Sequence, residues 1–100
     1  MSLHVLKLVA CADGHDQYID GERYALLVFA NANSLESALS ATPAHLMTCG
    51  WQYAEVRHAK ELAVQVSSIS DDVLRNAAEA ALQDGYAIIV YAPPITDPGS

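Results

Sequence analysis

Two helix-forming segments of this chain each end at a glycine that is followed directly by an apolar, strand-like run. Residues 33–49 stop at Gly50, and residues 70–84 stop at Gly85. Glycine takes the left-handed conformation that closes many helices without steric cost. Two helix–strand units of this kind predict an α+β fold in which the helices pack on a sheet.

Four apolar runs predict the strands of that sheet. They are residues 4–11, 23–31, 51–60 and 86–91. The second is apolar without interruption from Ala25 to Phe29, which is typical of a strand buried on both faces. A polar loop with Gly14 and Gly21 precedes it, and if that loop is a hairpin the first two strands are antiparallel neighbours.

Short polar side chains mark the helix starts. Asn33 or Ser34 is predicted to cap the first helix and Ser70 the second, because a side-chain oxygen there accepts a hydrogen bond from a first-turn N–H. Pro43 lies inside the first segment, where it removes a backbone hydrogen bond but also suits the first turn of a new helix. One kinked helix and two short helices are both compatible with residues 33–49.

The order β-β-α-β-α-β resembles the ferredoxin-like α/β plait. That resemblance implies a two-layer sandwich, with a mixed four-stranded sheet and both helices on one face through right-handed crossovers. We expect residues 1–100 to form one domain, with 95–100 as a flexible tail. The fold hosts many unrelated functions and implies none of them.

Composition limits the classes of partner. Five basic and twelve acidic residues give a net charge of −7, which disfavours nucleic acid and anionic membrane surfaces. Two cysteines are too few for a disulfide framework or for a set of four zinc ligands. No apolar run is long enough to span a bilayer. We therefore expect a cytoplasmic protein without metal or cofactor. The mean hydropathy of +0.15 predicts a homodimer or higher oligomer.

Two histidines are candidates for acid–base chemistry. His15 lies beside Asp13 and Asp16 in the polar loop, where a carboxylate can hold one imidazole tautomer. A solvated turn explains the same residues, because aspartate and glycine favour turns. His58 is a possible pocket base, with Arg57 or Lys60 as anion contacts, or a structural histidine.

Further candidates are aromatic. Trp51, Tyr53, Tyr86 and Tyr91 lie on or beside the last two strands, where they line a ligand cleft or anchor a subunit interface. His45 and Cys49 are four residues apart and so share a helix face, but two ligands are no metal site.

The sequence thus predicts a small bacterial-type domain that self-associates and binds a small ligand or a protein partner without catalysis. The alternative is a small enzyme that uses His15 with Asp16, or His58, in a pocket at a subunit interface. A third possibility, an acidic protein that binds a basic partner, requires carboxylates clustered on one face. No phosphate-binding loop, nucleophile elbow or metalloprotease motif is present.

Overall fold

The structure is a computed structural model that describes residues 2–63, 65–91 and 94–95. Its element order confirms the predicted small α+β fold. A short 3-10 turn, Val66–Ser68, follows the third strand. The strands and helices are β1 (Ser2–Ala12), β2 (Arg23–Ala32), α1 (Leu35–Thr48), β3 (Trp51–Glu61), α2 (Asp72–Asp84) and β4 (Tyr86–Tyr91).

The four strands form one sheet in the order β3-β1-β2-β4, and every neighbouring pair is antiparallel. The predicted hairpin of β1 and β2 is confirmed, with Leu6 opposite Val28. The prediction of a mixed sheet is wrong. The strands β2 and β3 do run parallel, as expected for a crossover through α1, but β1 lies between them and pairs antiparallel with both.

The two helices lie against opposite faces of the sheet, so the prediction that they share one face is wrong. Ala38 and Leu46 of α1 pack with Leu6 and Val28. On the other face, α2 packs through two buried alanines against Leu3, Leu27 and Phe29. The right-handed rule applies to crossovers between parallel strands, and α2 joins β3 to the antiparallel β4. A ferredoxin-like plait has both helices on one face, and this sheet differs from it in that respect.

The segment with Pro43 is a single helix. Ser34 caps α1, because its side-chain oxygen accepts a hydrogen bond from the Ser37 N–H at 3.1 Å. Ala38, Thr42 and Leu46 form the buried stripe, four residues apart, and Pro43 lies beside that stripe rather than in it. Within the described ranges, neither α1 nor α2 is long and apolar enough to cross a membrane.

The side chains of β3 do not alternate regularly, because two bulges interrupt its pairing with β1. Register shifts lie between Lys7 and Leu8 and between Val9 and Cys11. Each places one extra residue on β3, which moves the following side chains to the other face. Val56 therefore faces α1 while His58 faces α2, although strict alternation along the strand would place both on one side.

The start of α2 differs by one residue from the predicted start. Asp71, and not Ser70, is the N-cap, and its Oδ1 accepts a hydrogen bond from the Leu74 N–H at 3.0 Å. The end of the helix is as predicted, with Gly85 at φ 96°. The predicted tail lies outside the described residues from position 96 on, while the Ile95 N–H donates to the Arg23 carbonyl at 2.7 Å.

Replacing each candidate cap separates the two predictions for α2. Asp71→Ala should lower the free energy of unfolding by about 1 kcal/mol, because it removes the hydrogen-bond acceptor of the first turn. Ser70→Ala, one residue away and equally exposed, should leave it unchanged within a few tenths of a kcal/mol. Urea denaturation of both variants measures this, and a larger effect for Ser70→Ala would contradict the assigned cap.

Candidate binding site

Helix α2 covers only part of the sheet face against which it packs. The helix has 13 residues and spans about 20 Å. The strand β1 has 11 residues and spans about 36 Å. On the opposite face, the loop between β1 and β2 packs Tyr18 onto the part of the core that α1 leaves open. The α2 face leaves a groove at the corresponding place.

We call this the α2-face groove. Its volume is about 510 Å³, within the range of roughly 300–1,000 Å³ that is usual for small-molecule sites. Its floor is apolar, and Leu74, in the first turn of α2, borders it from above. The side chains that line it are Lys7, Val9, Ala25, Leu27, Arg57, Leu74 and Tyr91.

A smaller groove of about 250 Å³ adjoins the first along the same face. The two grooves share Lys7, Leu27 and Leu74. The second continues under the segment that precedes α2 and is lined there by Val5, Phe29, Lys60, Leu62 and Ile69. Lys7 thus stands at the junction of two largely apolar grooves.

The positive charges of the protein gather on this side. All five lysines and arginines lie on the α2 face of the sheet or on α2 itself, although the chain as a whole carries −7. Four are on strands and border or approach the grooves, and the fifth is on the helix. They are Lys7, Arg23, Arg57, Lys60 and Arg75.

Two of these cations share one carboxylate. Arg23 and Arg57 each approach Glu55 at 3.5 Å, in exposed pairs that stabilise little. Arg75 pairs with Asp72 and also donates to the Ile69 carbonyl at 3.0 Å. Among the residues that the structure describes, Lys7 and Lys60 form no ion pair. The edge of the grooves therefore carries positive charge that is not neutralised there.

The candidate His15 lies in an aromatic cluster. Its ring is 4.6 Å from that of Trp51 and 5.4 Å from that of Tyr18, measured between centroids. Its Nε2 atom is buried without a hydrogen-bond partner in the described part of the chain. Trp51 itself is only 2% exposed. These contacts anchor the loop on the core, and Trp51 lines neither groove.

The carboxylates of the same loop hold its turns together. Asp13 Oδ2 accepts a hydrogen bond from the Gln52 amide at 2.6 Å, and Asp20 Oδ1 accepts one from the Gly14 N–H at 2.8 Å. Asp16 is exposed. The loop therefore has the turn chemistry that its aspartates and glycines predict.

The other histidines are spread over the molecule. His4 is buried at the start of β1, and His58 is exposed opposite Lys7 on the α2 face. His45 stacks on Tyr86 at 4.0 Å, with its Nε2 3.6 Å from the Cys49 sulfur, so the shared helix face is confirmed. No histidine takes part in an ion pair among the described side chains, and no group of three metal-ligating residues occurs there.

The four aromatic candidates do not meet in one cleft. Trp51 is in the core and Tyr86 faces α1, while Tyr91 borders the α2-face groove. Tyr53 is 82% exposed and has a φ of 54° in one of the bulges of β3. A non-glycine residue at such a φ is strained. With Met47 and Gln52 it lines a separate depression next to α1.

The groove residues that the sequence did not single out are Lys7 and Leu74. Lys7 is the one charged residue within the apolar run 4–11, and that interruption marks an exposed point on a buried strand. Leu74 is one of several apolar residues in the second helical segment, and it stands at the edge of both grooves. That Leu74 borders the grooves becomes visible only when α2 is placed against this face of the sheet.

No family model, curated protein or solved structure matches this chain in comparisons with known proteins. The function is therefore inferred from the geometry of the grooves and of the surfaces around them.

The contact of the loop with Gly50 predicts an unequal effect of two similar substitutions. Gly50 and Gly85 have φ values of 86° and 96°, so alanine costs about 1–2 kcal/mol at either position. A Cβ at Gly50 would also lie 2.9 Å from the Asp13 carbonyl oxygen and from His15 Nε2, whereas one at Gly85 meets nothing within 4 Å. Gly50→Ala should thus lower the free energy of unfolding by about a further 1–3 kcal/mol.

Urea denaturation of Gly50→Ala and Gly85→Ala measures the difference, since both variants share the backbone cost. Equal destabilisation would contradict the packing of the loop on Gly50.

Proposed function

We propose that this protein is a non-catalytic module that binds a small ligand in the α2-face groove. The observation that supports this most strongly is an open groove of about 510 Å³ with an apolar floor on the α2 face of the sheet. Val9 and Leu27 form much of the floor, and polar atoms are confined to its edge. Small-molecule sites commonly combine a large apolar surface with a few polar groups in this way.

The rigidity of the floor favours binding over chemistry. Its side chains project from β1 and β2, the two central strands, which are paired on both sides. A site on such strands is preformed, so little ordering is needed when a ligand enters.

The acid–base alternative has less support from the geometry. It requires a histidine held by a carboxylate at the edge of a cleft. His15 packs against Trp51 instead, with the two rings tilted by 42°, and His58 is exposed beside Lys7 without a carboxylate partner in the described residues. Among the described residues, Asp16 forms no ion pair with His15 or with His58.

We also propose that two copies associate through the outer side of α1. Met47 is 66% exposed on that helix, and the exposed Tyr53 lies next to it. Apart from His45, Glu36 is the only acidic or basic residue among the 14 of α1. Two chains of charge −7 repel each other, and this charge-poor surface is where they approach at least electrostatic cost. An exposed, strained tyrosine beside a flexible methionine suits an interface.

Filling the groove should weaken ligand binding without unfolding the protein. Ala25 lies on the floor between Val9 and Tyr91 in the strand register. Ala25→Leu adds three carbons there and should weaken the binding of a neutral probe, decanol, by at least roughly tenfold, or about 1.4 kcal/mol. The measurement is a titration followed by amide chemical shifts in two-dimensional NMR, which also locates the probe.

Ala41→Leu is the matched control, because it adds the same atoms on the exposed side of α1. It should leave decanol binding unchanged. Shifts that centre on α1, or a loss of binding in both variants, would overturn the groove as the binding site.

A charge on the outer side of α1 should dissociate the proposed dimer. Met47→Glu places a carboxylate on the apolar surface and should shift the protein toward the monomer at micromolar concentration, because like charges then face each other across the interface. Val73→Glu is the control, since Val73 is 63% exposed but lies on α2. Sedimentation velocity measures the state of both, and a strict monomer in the unaltered protein would refute self-association.

A further inference from the structure

We infer that the ligand of the α2-face groove is a small amphiphile with one anionic head group, of the class of medium-chain carboxylates. The inference rests on the proposed function, because it assigns a chemical class to the occupant of that same groove. It is carried by two independent features of the groove: where its charges lie and which of them are available.

The charges and the apolar surface are on different sides of the groove. Lys7 and Arg57 stand on the side of β1 and β3. Ala25 and Leu27 of β2 and Tyr91 of β4 form the other side, with no charged side chain between them. A ligand that matches this pattern has one negative end and an apolar body that lies across the floor.

The cations at the edge are available to a ligand. Lys7 has no carboxylate partner among the described residues, and Arg57 has only an exposed contact at 3.5 Å that it shares with Arg23. A carboxylate oxygen gains a charge-assisted hydrogen bond from either side chain, and such bonds are about twice as strong as neutral ones. Burial of the alkyl chain adds to this.

The same features disfavour other anions. A simple inorganic anion would contact Lys7 and Arg57 but would leave the apolar floor open to water. A polyanion would need several cations in a row against a net charge of −7. The small amphiphile is the class that uses both the cations and the floor.

A series of ligands with one alkyl chain and different head groups tests the head-group preference. Decanoate should bind more tightly than decanol, and decyltrimethylammonium should bind most weakly. The two ionic ligands are titrated below their critical micelle concentrations and decanol below its solubility limit, and each is located by amide chemical shifts. Octanoate should bind more weakly than decanoate, by up to about fourfold for each methylene removed. Acetate, which has the head group alone, should not bind measurably.

Substitution of the cations tests the proposed contacts. Lys7→Gln and Arg57→Gln should each weaken decanoate binding by about three- to tenfold and leave decanol binding unchanged. Lys7→Arg should retain decanoate binding. Gln17→Glu is the matched control, because it changes the net charge by the same amount in the loop on the other side of the sheet, and it should have no effect on either ligand.

The outcomes separate this inference from the function on which it rests. If decanoate and decanol bind the groove equally, and Lys7→Gln and Arg57→Gln change nothing, the head-group assignment is refuted while the groove remains a binding site. If neither ligand perturbs the groove, both are refuted.

Two other occupants give distinct results, and either would overturn the inference. A second copy of the chain in the groove would make decanoate dissociate the oligomer in sedimentation velocity. Occupation by the chain's own C-terminal residues would make a variant that ends at Ile95 bind decanoate much more tightly than the full chain.

Discussion

The β1–β2 hairpin is apolar on both faces, and the rest of the structure follows from the need to cover it twice. Leu6 and Val28 point to one side and Leu27 and Phe29 to the other, all of them buried. Because apolar surface on both sides must leave water, one layer of helices is insufficient. The helix α1 covers one face and α2 the other. The grooves lie on the α2 face, where the sheet extends beyond the helix.

The sequence predicts the elements well and their arrangement only in part. Every strand and helix lies within a few residues of its predicted position, because caps, glycines and apolar runs are local features. The uninterrupted run Ala25–Phe29 also indicated burial on both faces, which conflicts with two helices on one side. The packing of α1 and α2 on opposite faces of the sheet resolves that conflict. That packing depends on contacts between distant parts of the chain, about which local patterns carry little information.

The candidate site was harder to predict, because it depends on two bulges and on one helix placement. The bulges in β3 put Glu55 and Arg57 on the α2 face, where simple alternation would place them on the same face as Trp51. The aromatic residues were a poor guide, since only Tyr91 borders the α2-face groove. Lys7 was the better indicator. A lysine within an apolar strand is costly to bury, so the surface above it must stay open.

A net charge of −7 and the proposed site for an anionic head group are compatible because the two charge distributions act over different distances. The total charge governs the approach of large, highly charged partners, and it is screened beyond about 8 Å at physiological salt. At contact, the nearest groups dominate. Lys7, Arg57 and Lys60 place positive charge at one edge of the grooves, while α1 carries few charges. The same distribution leaves the outer side of α1 nearly neutral, which separates the proposed ligand site from the proposed subunit contact.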